Sequence, residues 1–395
     1  MQEPGGRYRS LDGLRGVAAL SVIAYHALLV VPAMSVLYIE KTSPSPFTPE
    51  WWLYRTPLRL VMPGHEAVLV FFVLSGFVLT APLLRHGLTP RATLAYYCRR
   101  LIRLYVPVWG AVAFALLLAM LVHRDPSIGS SWLATHHPPT VTDVWHDLLL
   151  ILGTSNLDSP LWSLTWEVWF SLLLPVLFLL VRALRVERWW PGAIALLIVV
   201  SVVSRFPAVV HRLPQSWLTA GLLQYLPVFG LGMVLAVVMP RLGELTARIR
   251  TWWPIGIALA LLVVSPTLLP TSGYDALAAV LYALCLVGVT GTVTAALFWP
   301  QARHALETRP VQWAGTRSFS IYLVHEPILV AAALATAADS WSWLLLAAAL
   351  IPLVLVVAEV FHRVIEAPSM RLSREVGRRV GAGARVAAPS AADAP

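Results

Sequence analysis

Apolar runs long enough to cross a lipid bilayer recur along the whole chain and constrain its fold more than any other feature. Hydrophobic residues make up 58% of the 395 positions and charged residues only 12%. A soluble domain carries about 25% charged residues. Because the hydrocarbon core offers the backbone no water to bond, such runs must form helices. The sequence therefore predicts an all-α, polytopic membrane helical bundle of about ten transmembrane helices.

The predicted spans cover 12–33, 64–84, 104–123, 162–181, 191–210, 219–239, 253–270, 275–299, 316–337 and 341–363. The stretch 144–153 is apolar but too short to cross, and we predict that it is interfacial or re-entrant. The longer connections, 34–63 and 124–161, are rich in Pro, Trp, Ser, Thr and His, which suits a lid or an acceptor-binding surface. We predict a transmembrane domain over 1–370 and a basic, then low-complexity tail over 371–395, which we expect to be disordered.

The arginines predict the orientation of the bundle. If the N-terminus is cytoplasmic, most basic residues fall in segments on the cytoplasmic side, including the group within 85–103 and the C-terminal cluster. An even number of spans returns the C-terminus to the cytoplasm. The preference for arginine over lysine is typical of a high-GC bacterium, so we expect a multi-pass protein of the bacterial inner membrane. The net charge of +9 does not indicate nucleic-acid binding, because these arginines lie in short loops.

The first predicted span carries a cation and an imidazole on one helical face. Arg15 and His26 are separated by about three helical turns, or about 16 Å along the axis. Asp12, three residues before Arg15, can pair with it. Ionisable groups inside a span mark function or a buried partner. The pattern favours a phosphate clamp with a proton acceptor deeper in the membrane over a snorkelling Arg15 and a structural His26.

A second group of arginines opens the third predicted span. Arg99, Arg100 and Arg103 suit a phosphate-rich ligand, although anchoring by the positive-inside rule explains them equally well. In the second span, Ser75 and Gly76 are predicted to be packing positions because small residues let helices approach closely.

Three further residues are candidates for the site. Glu167 is predicted near the outer side, as is His26, and a carboxylate there could orient the imidazole. Trp162, which opens the same span, is a candidate substrate-binding residue. His325 lies within a later span, where a structural hydrogen bond is the favoured role and substrate binding the alternative. Neither cysteine has metal-like or disulfide-like spacing, so no metal site is predicted.

Six segments, in order, resemble the acyltransferase 3 family of polytopic membrane O-acyltransferases: 11–16 followed by His26, 71–80, 99–107, 162–170, 318–325 and 363–368. The resemblance implies ten spans with a cytoplasmic N-terminus. It also implies acyl-CoA, often acetyl-CoA, as the donor and a carbohydrate or similar polyol as the acceptor. Arg15 and His26 match the functionally important pair of the family, and four more residues match further motif positions, namely Arg100, Arg103, Trp162 and Glu167.

The chain departs from the family pattern at several positions. Ala67 stands where a glycine is usual before the Phe-Phe pair, Val106 replaces a frequent proline, and Val168 and Ser171 replace common acidic or polar and tyrosine residues. No proposed catalytic group is lost, but these departures leave the acceptor open among envelope glycans, glycolipids and glycosylated metabolites. A fused extracytoplasmic esterase-like domain is not expected.

The mechanism expected from these residues is direct acyl transfer. Arg15, Arg100 and Arg103 would bind the CoA phosphates, and His26 would act as general base with Glu167 orienting it. A transient acyl-His26 intermediate remains the alternative. The rival function is a transporter of an acylated glycan or lipid that uses His26 as a proton relay. No paired inverted repeat or matched set of broken helices is visible, which counts against the transporter.

Overall fold

The computed structural model describes residues 8–61, 63–125, 127, 129–214, 216–248, 257–258 and 274–382. In chain order its helices are α1 (Arg9–Leu29), α2 (Pro32–Ile39), α3 (Pro49–Arg55), α4 (Gly64–His86), α5 (Pro90–Leu121), α6 (Ser131–Ala134), α7 (Val141–Leu149), α8 (Leu161–Ala183), α9 (Trp190–Val203), α10 (Pro207–Val210), α11 (Ser216–Arg248), α12 (Ala276–Phe298), α13 (Pro300–Leu306), α14 (Arg309–Ala335), α15 (Trp343–Phe361) and α16 (Ala367–Ala382).

The predicted all-α membrane bundle is confirmed. Within the described ranges, seven helical segments are long and apolar enough to cross a membrane: α4, α5, α8, α11, α12, α14, and α15 continued by α16. Helices α1 and α2 bend by 105° at Pro32 and together form an eighth candidate. Helix α9, predicted as a span over 191–210, has 14 residues, a length of about 21 Å that falls short of the bilayer core. Of the predicted span 253–270, only residues 257–258 are among the described residues.

Glycines bring α1 and α14 into close contact along their first turns. A Cβ on Gly16 would overlap backbone atoms of α14 at Gly315, and a Cβ on Gly315 would overlap the carbonyl of Asp12. Such close backbone approach is the usual role of small residues between membrane helices. The contact aligns the two helices so that His26 of α1 lies beside His325 of α14.

A second glycine contact joins α4 to α11. A Cβ on Gly76 would overlap the carbonyl of Phe229, and a Cβ on Gly232 would overlap that of Val73. The packing role predicted for Gly76 is therefore confirmed. Phe229 stacks on Phe72, with ring centroids 4.4 Å apart, and this apolar contact holds α4 and α11 together.

The connections 34–63 and 124–161 fold into short helices rather than extended loops. Helix α7 begins at a capping box formed by Thr140 and Asp143, and it ends where Leu150 adopts a left-handed conformation. With nine residues it cannot cross the bilayer, which agrees with the prediction that 144–153 does not span.

The C-terminal helix α16 continues from α15 through a π-helical turn at His362–Glu366. Ser373 of α16 donates a hydrogen bond to the carbonyl of Arg99 on α5 (2.8 Å), and Gly377 lets the Arg99 side chain pack closely. The disorder predicted for 371–395 is therefore wrong over residues 371–382, because tertiary packing on α5 stabilises the helix. Residues 383–395 lie outside the described residues.

Candidate functional site

The centre of the site is a pair of hydrogen-bonded histidines. His26 Nδ1 lies 2.8 Å from His325 Nε2, and His325 Nδ1 lies 3.1 Å from the carbonyl oxygen of Ile321. A carbonyl only accepts, so His325 carries its proton on Nδ1 and, when neutral, accepts at Nε2. His26 must then donate from Nδ1. This arrangement leaves His26 Nε2 with a free lone pair, as a general base requires.

The histidine pair is almost completely shielded from solvent. His26 is 8% exposed and His325 0%, and the indole of Trp132 stacks on His26 with ring centroids 5.7 Å apart. The structural hydrogen bond predicted for His325 is present, and its partner is the proposed base itself. His325 is thus placed to hold His26 in one tautomer rather than to bind substrate directly.

The structure does not pair Glu167 with His26, and that part of the prediction is wrong. The Glu167 carboxylate forms a buried ion pair with Arg100 and accepts a hydrogen bond from Ser75 (2.9 Å). Arg100 also donates from Nε to Ser171 (2.8 Å). Glu167 therefore neutralises an arginine, and Ser75 is a hydrogen-bond donor rather than only a packing residue.

A cavity of about 480 Å³ brings the three predicted arginines together. We call it the arginine cavity; its charged lining residues are Asp12, Arg15, Arg100, Arg103, Glu167, Glu366 and Arg374. Sequence analysis missed Arg374 because the segment that carries it was assigned to a disordered tail. Concentrated guanidinium groups in a concave site suit a ligand with several phosphates.

The second cavity, of about 920 Å³, has a different chemistry. We call it the aromatic cavity; its aromatic lining residues are Trp132, Trp162, Trp166, Trp217 and Tyr225. The remaining lining residues are aliphatic, hydroxyl or amide side chains and glycine, and none that the structure describes there is charged. Trp162, predicted to bind substrate, lies in this wall. Aromatic faces combined with amides suit an uncharged polyol.

The histidine pair adjoins a wall residue of each cavity. Trp132, which stacks on His26, lines the aromatic cavity. Tyr322, whose ring lies 6.0 Å from that of His325, lines the arginine cavity. The Tyr322 hydroxyl donates to the carbonyl of Pro160 (2.9 Å) and contacts Ser163 (2.8 Å). These bonds hold Tyr322 in the wall that lies between the arginine cavity and the histidine pair.

A buried polar network that sequence analysis missed supports Trp132. His136 lies 3.0 Å from the Trp132 carbonyl through Nδ1 and 3.0 Å from Glu326 through Nε2. Ser159 also donates to Glu326. Burial and the neighbouring Glu326 raise the pKa of Asp158, which lies in the connection before α8, well above its ordinary value. In the sequence, only the adjacent residues His325 and Glu326 could have indicated this network, since its other members lie far away along the chain.

Comparison with known proteins identifies the family of the chain. The family model described as an acyltransferase domain, Acyl_transf_3, matches residues 8–363. The acyltransferase MdmB of Streptomyces mycarofaciens is 28% identical over 407 residues, which cover 94% of this chain and 93% of the relative. No solved structure matches the chain. The chain therefore belongs to the acyltransferase 3 family and is an acyltransferase.

Proposed function

We propose that the protein transfers an acyl group, acetyl above all, from acyl-CoA to a hydroxyl of a carbohydrate, glycolipid or glycosylated metabolite. The observation that carries this proposal is the His26–His325 pair, which contacts Trp132 in the wall of the aromatic cavity and Tyr322 in the wall of the arginine cavity. Each cavity matches the chemistry of one of the two substrates, and the proposed base is next to a wall residue of one cavity and its histidine partner next to a wall residue of the other.

The donor follows from the arginine cavity. CoA carries a diphosphate and a ribose 3′-phosphate, and guanidinium groups bind phosphate oxygens in a bidentate manner. Its pantetheine arm is long and uncharged, so the thioester can extend from the arginines past Tyr322 toward His26. The acyl group needs no permanently bound cofactor on this route.

The acceptor follows from the aromatic cavity. Trp162, Trp166 and Tyr225 offer apolar ring faces on which the C–H face of a sugar can pack. Asn156 and Gln224 supply donors and acceptors for its hydroxyl groups. Because no charged residue lines the described wall, the structure favours a neutral glycosyl group over an anionic one.

The reaction proceeds by general-base catalysis. His26 Nε2 takes the proton of the acceptor hydroxyl as its oxygen attacks the thioester carbonyl. The C–O ester bond forms and the C–S bond breaks, and the proton on His26 then passes to the departing CoA thiolate. His325 accepts the Nδ1 proton of His26 throughout and stabilises the imidazolium.

The reaction class is tested with purified protein and labelled acetyl-CoA. Incubation with a pool of envelope glycans and glycolipids should yield a labelled, base-labile ester together with free CoA thiol. A label that stays on CoA with every member of the pool contradicts acyl transfer to a hydroxyl.

We propose that both termini are cytoplasmic in the inner membrane, which places the arginine cavity toward cytoplasmic acyl-CoA. Cysteines introduced at the exposed positions Ser43 and Thr142, in a background lacking Cys98 and Cys285, should react with a membrane-impermeant maleimide in intact cells. A cysteine at exposed Gly381 should react only after permeabilisation. The reverse pattern contradicts the orientation.

Arg15 is expected to contribute directly to donor affinity. Arg15→Ala should weaken CoA binding by about tenfold or more, because hydrogen bonds to charged groups are the stronger class. Arg15→Lys should lose less, since it keeps the charge without the bidentate geometry. Isothermal titration with CoA in detergent measures both losses. Unchanged affinity in a folded Arg15→Ala protein would make Arg15 a structural residue.

A further inference from the structure

The C-terminal helix α16 carries Arg374, which lines the arginine cavity. Resting on the proposed function, we infer that Arg374 of α16 binds the ribose 3′-phosphate of acyl-CoA, while Arg15 and Arg103 bind the diphosphate. The donor site would then be built from both ends of the chain.

Arg374 differs from Arg378 and Arg379 of its helix in having no ion pair with a described residue. Arg378 and Arg379 each form an ion pair with Glu375, at 2.8 and 2.6 Å. For Arg374 the structure gives no hydrogen bond or ion pair to any described residue, although it lines the arginine cavity. An arginine that faces a cavity without a partner is available to a ligand.

Two further arginines of the cavity are similarly available. Within the described ranges, neither Arg15 nor Arg103 has a hydrogen bond or an ion pair, whereas Arg100 is bound by Glu167. Arg15, Arg103 and Arg374 therefore place three unpaired cations around one cavity. Like charges in a site of reduced dielectric repel one another, and an anion with several phosphates relieves that repulsion.

The order of these arginines along the cavity matches the order of groups along CoA. Helix α16 runs antiparallel to α5: Gly377 and Ser373 contact Arg99, and the preceding π-turn brings Glu366 into the cavity deeper along α5. Arg374 therefore lies about two helical turns beyond Glu366, toward the N-terminal end of α5, whereas Glu366 accepts a hydrogen bond from Ser320, two residues before Tyr322. In CoA the 3′-phosphate is farther from the thioester than the diphosphate is. Arg374 is therefore placed to bind the 3′-phosphate when the thioester extends toward His26.

The helix is held firmly enough to act as a fixed binding element. The Ser373 hydroxyl donates to the Arg99 carbonyl on α5 (2.8 Å), one residue before Arg374. A Cβ on Gly377 would overlap the Arg99 side chain, so the two helices approach closely there. Arg374 is thus presented by a packed helix, which lowers the entropy lost when it binds phosphate.

The test compares CoA with 3′-dephospho-CoA as probes of the full-length protein. Titration of wild type should show CoA binding about tenfold tighter than 3′-dephospho-CoA, as expected for a charge-assisted contact. In Arg374→Ala the affinity for CoA should fall to that for 3′-dephospho-CoA, whose own affinity should not change. Arg378→Ala, a matched control on the same helix whose partner is Glu375, should behave as wild type.

The other possible titration results contradict either the Arg374 contact or the proposed donor. Unchanged CoA affinity in Arg374→Ala overturns the inference, and so does an equal loss for both probes, since the contact would then not be to the 3′-phosphate. A wild type that binds neither probe overturns the proposed donor itself. A wild type that binds both probes equally overturns only the 3′-phosphate contact and leaves the donor standing.

Discussion

Replacing His26 by glutamine is expected to lower the rate of acyl transfer by about 10²–10⁴-fold, the range that general-base help contributes. The glutamine amide can still donate to His325 Nε2, but it cannot take a proton from the acceptor hydroxyl. Because His26 does not line the arginine cavity, the affinity for CoA should stay near that of wild type. Single-turnover transfer of labelled acetyl groups measures the rate, and titration measures the affinity.

The control for this substitution is His304→Gln, at an exposed histidine on α13 outside both cavities. It should match wild type in transfer rate, CoA affinity and melting temperature in detergent. A folded His26→Gln protein that retains more than a tenth of wild-type turnover removes the base assignment. The His26–His325 hydrogen bond would then be only a contact that fixes α1 against α14.

Removing the Glu167 carboxylate is expected to destabilise the protein itself. Glu167→Ala leaves the Arg100 guanidinium buried without its counter-charge, and breaking a buried ion pair in this way costs about 3–5 kcal/mol. Both side chains are 10% exposed, so water compensates little. The melting temperature and folded yield in detergent should fall sharply, a result that differs from the loss of rate alone expected for His26→Gln.

The matched control replaces both members of the ion pair. Glu167→Met combined with Arg100→Met fills a similar volume with apolar atoms, so most of the stability should return. Donor affinity should stay near that of wild type, because the removed pair is neutral overall and Arg15, Arg103 and Arg374 still line the cavity. If Glu167→Ala instead folds with wild-type stability and loses only transfer, Glu167 acts on the reacting groups and the ion-pair role is wrong.

Sequence periodicity predicted which residues share one face of a single helix. The spacing of Arg15 and His26 placed both on one face of α1, and the structure directs Arg15 to the arginine cavity and His26 to the histidine pair. The apolar runs also predicted the membrane bundle, because each helix that lies in lipid needs a continuous run of apolar residues in its own sequence. The bend after α1 also follows from a local cause, the proline at position 32.

Contacts between distant segments could not be predicted in the same way. Glu167 was predicted to orient His26, but helix packing brings Arg100 to it instead. His325 became the partner of His26 only because Gly16 and Gly315 let α1 and α14 approach closely. The hydrophobic pattern of a sequence does not indicate which faces of two distant helices pack against each other.

The tail was mispredicted because its composition is misleading. The segment 371–382 has many arginines and few apolar residues, which is typical of disorder. Its apolar residues lie on one face of α16, and packing on α5 near Arg99 supplies the stability that composition lacks. Arg374 was therefore not recognised as part of the arginine cavity.

We propose His26 as the general base for transfer of an acyl group from CoA to a neutral glycosyl hydroxyl. The most direct measurement is mass spectrometry after incubating wild type and His26→Gln with ¹³C-acetyl-CoA and a neutral glycolipid fraction in proteoliposomes. We expect a base-labile ¹³C-acetyl ester with wild type and almost none with His26→Gln, although both proteins should bind CoA. Equal ester formation by the two proteins, or no ester with wild type, would contradict it.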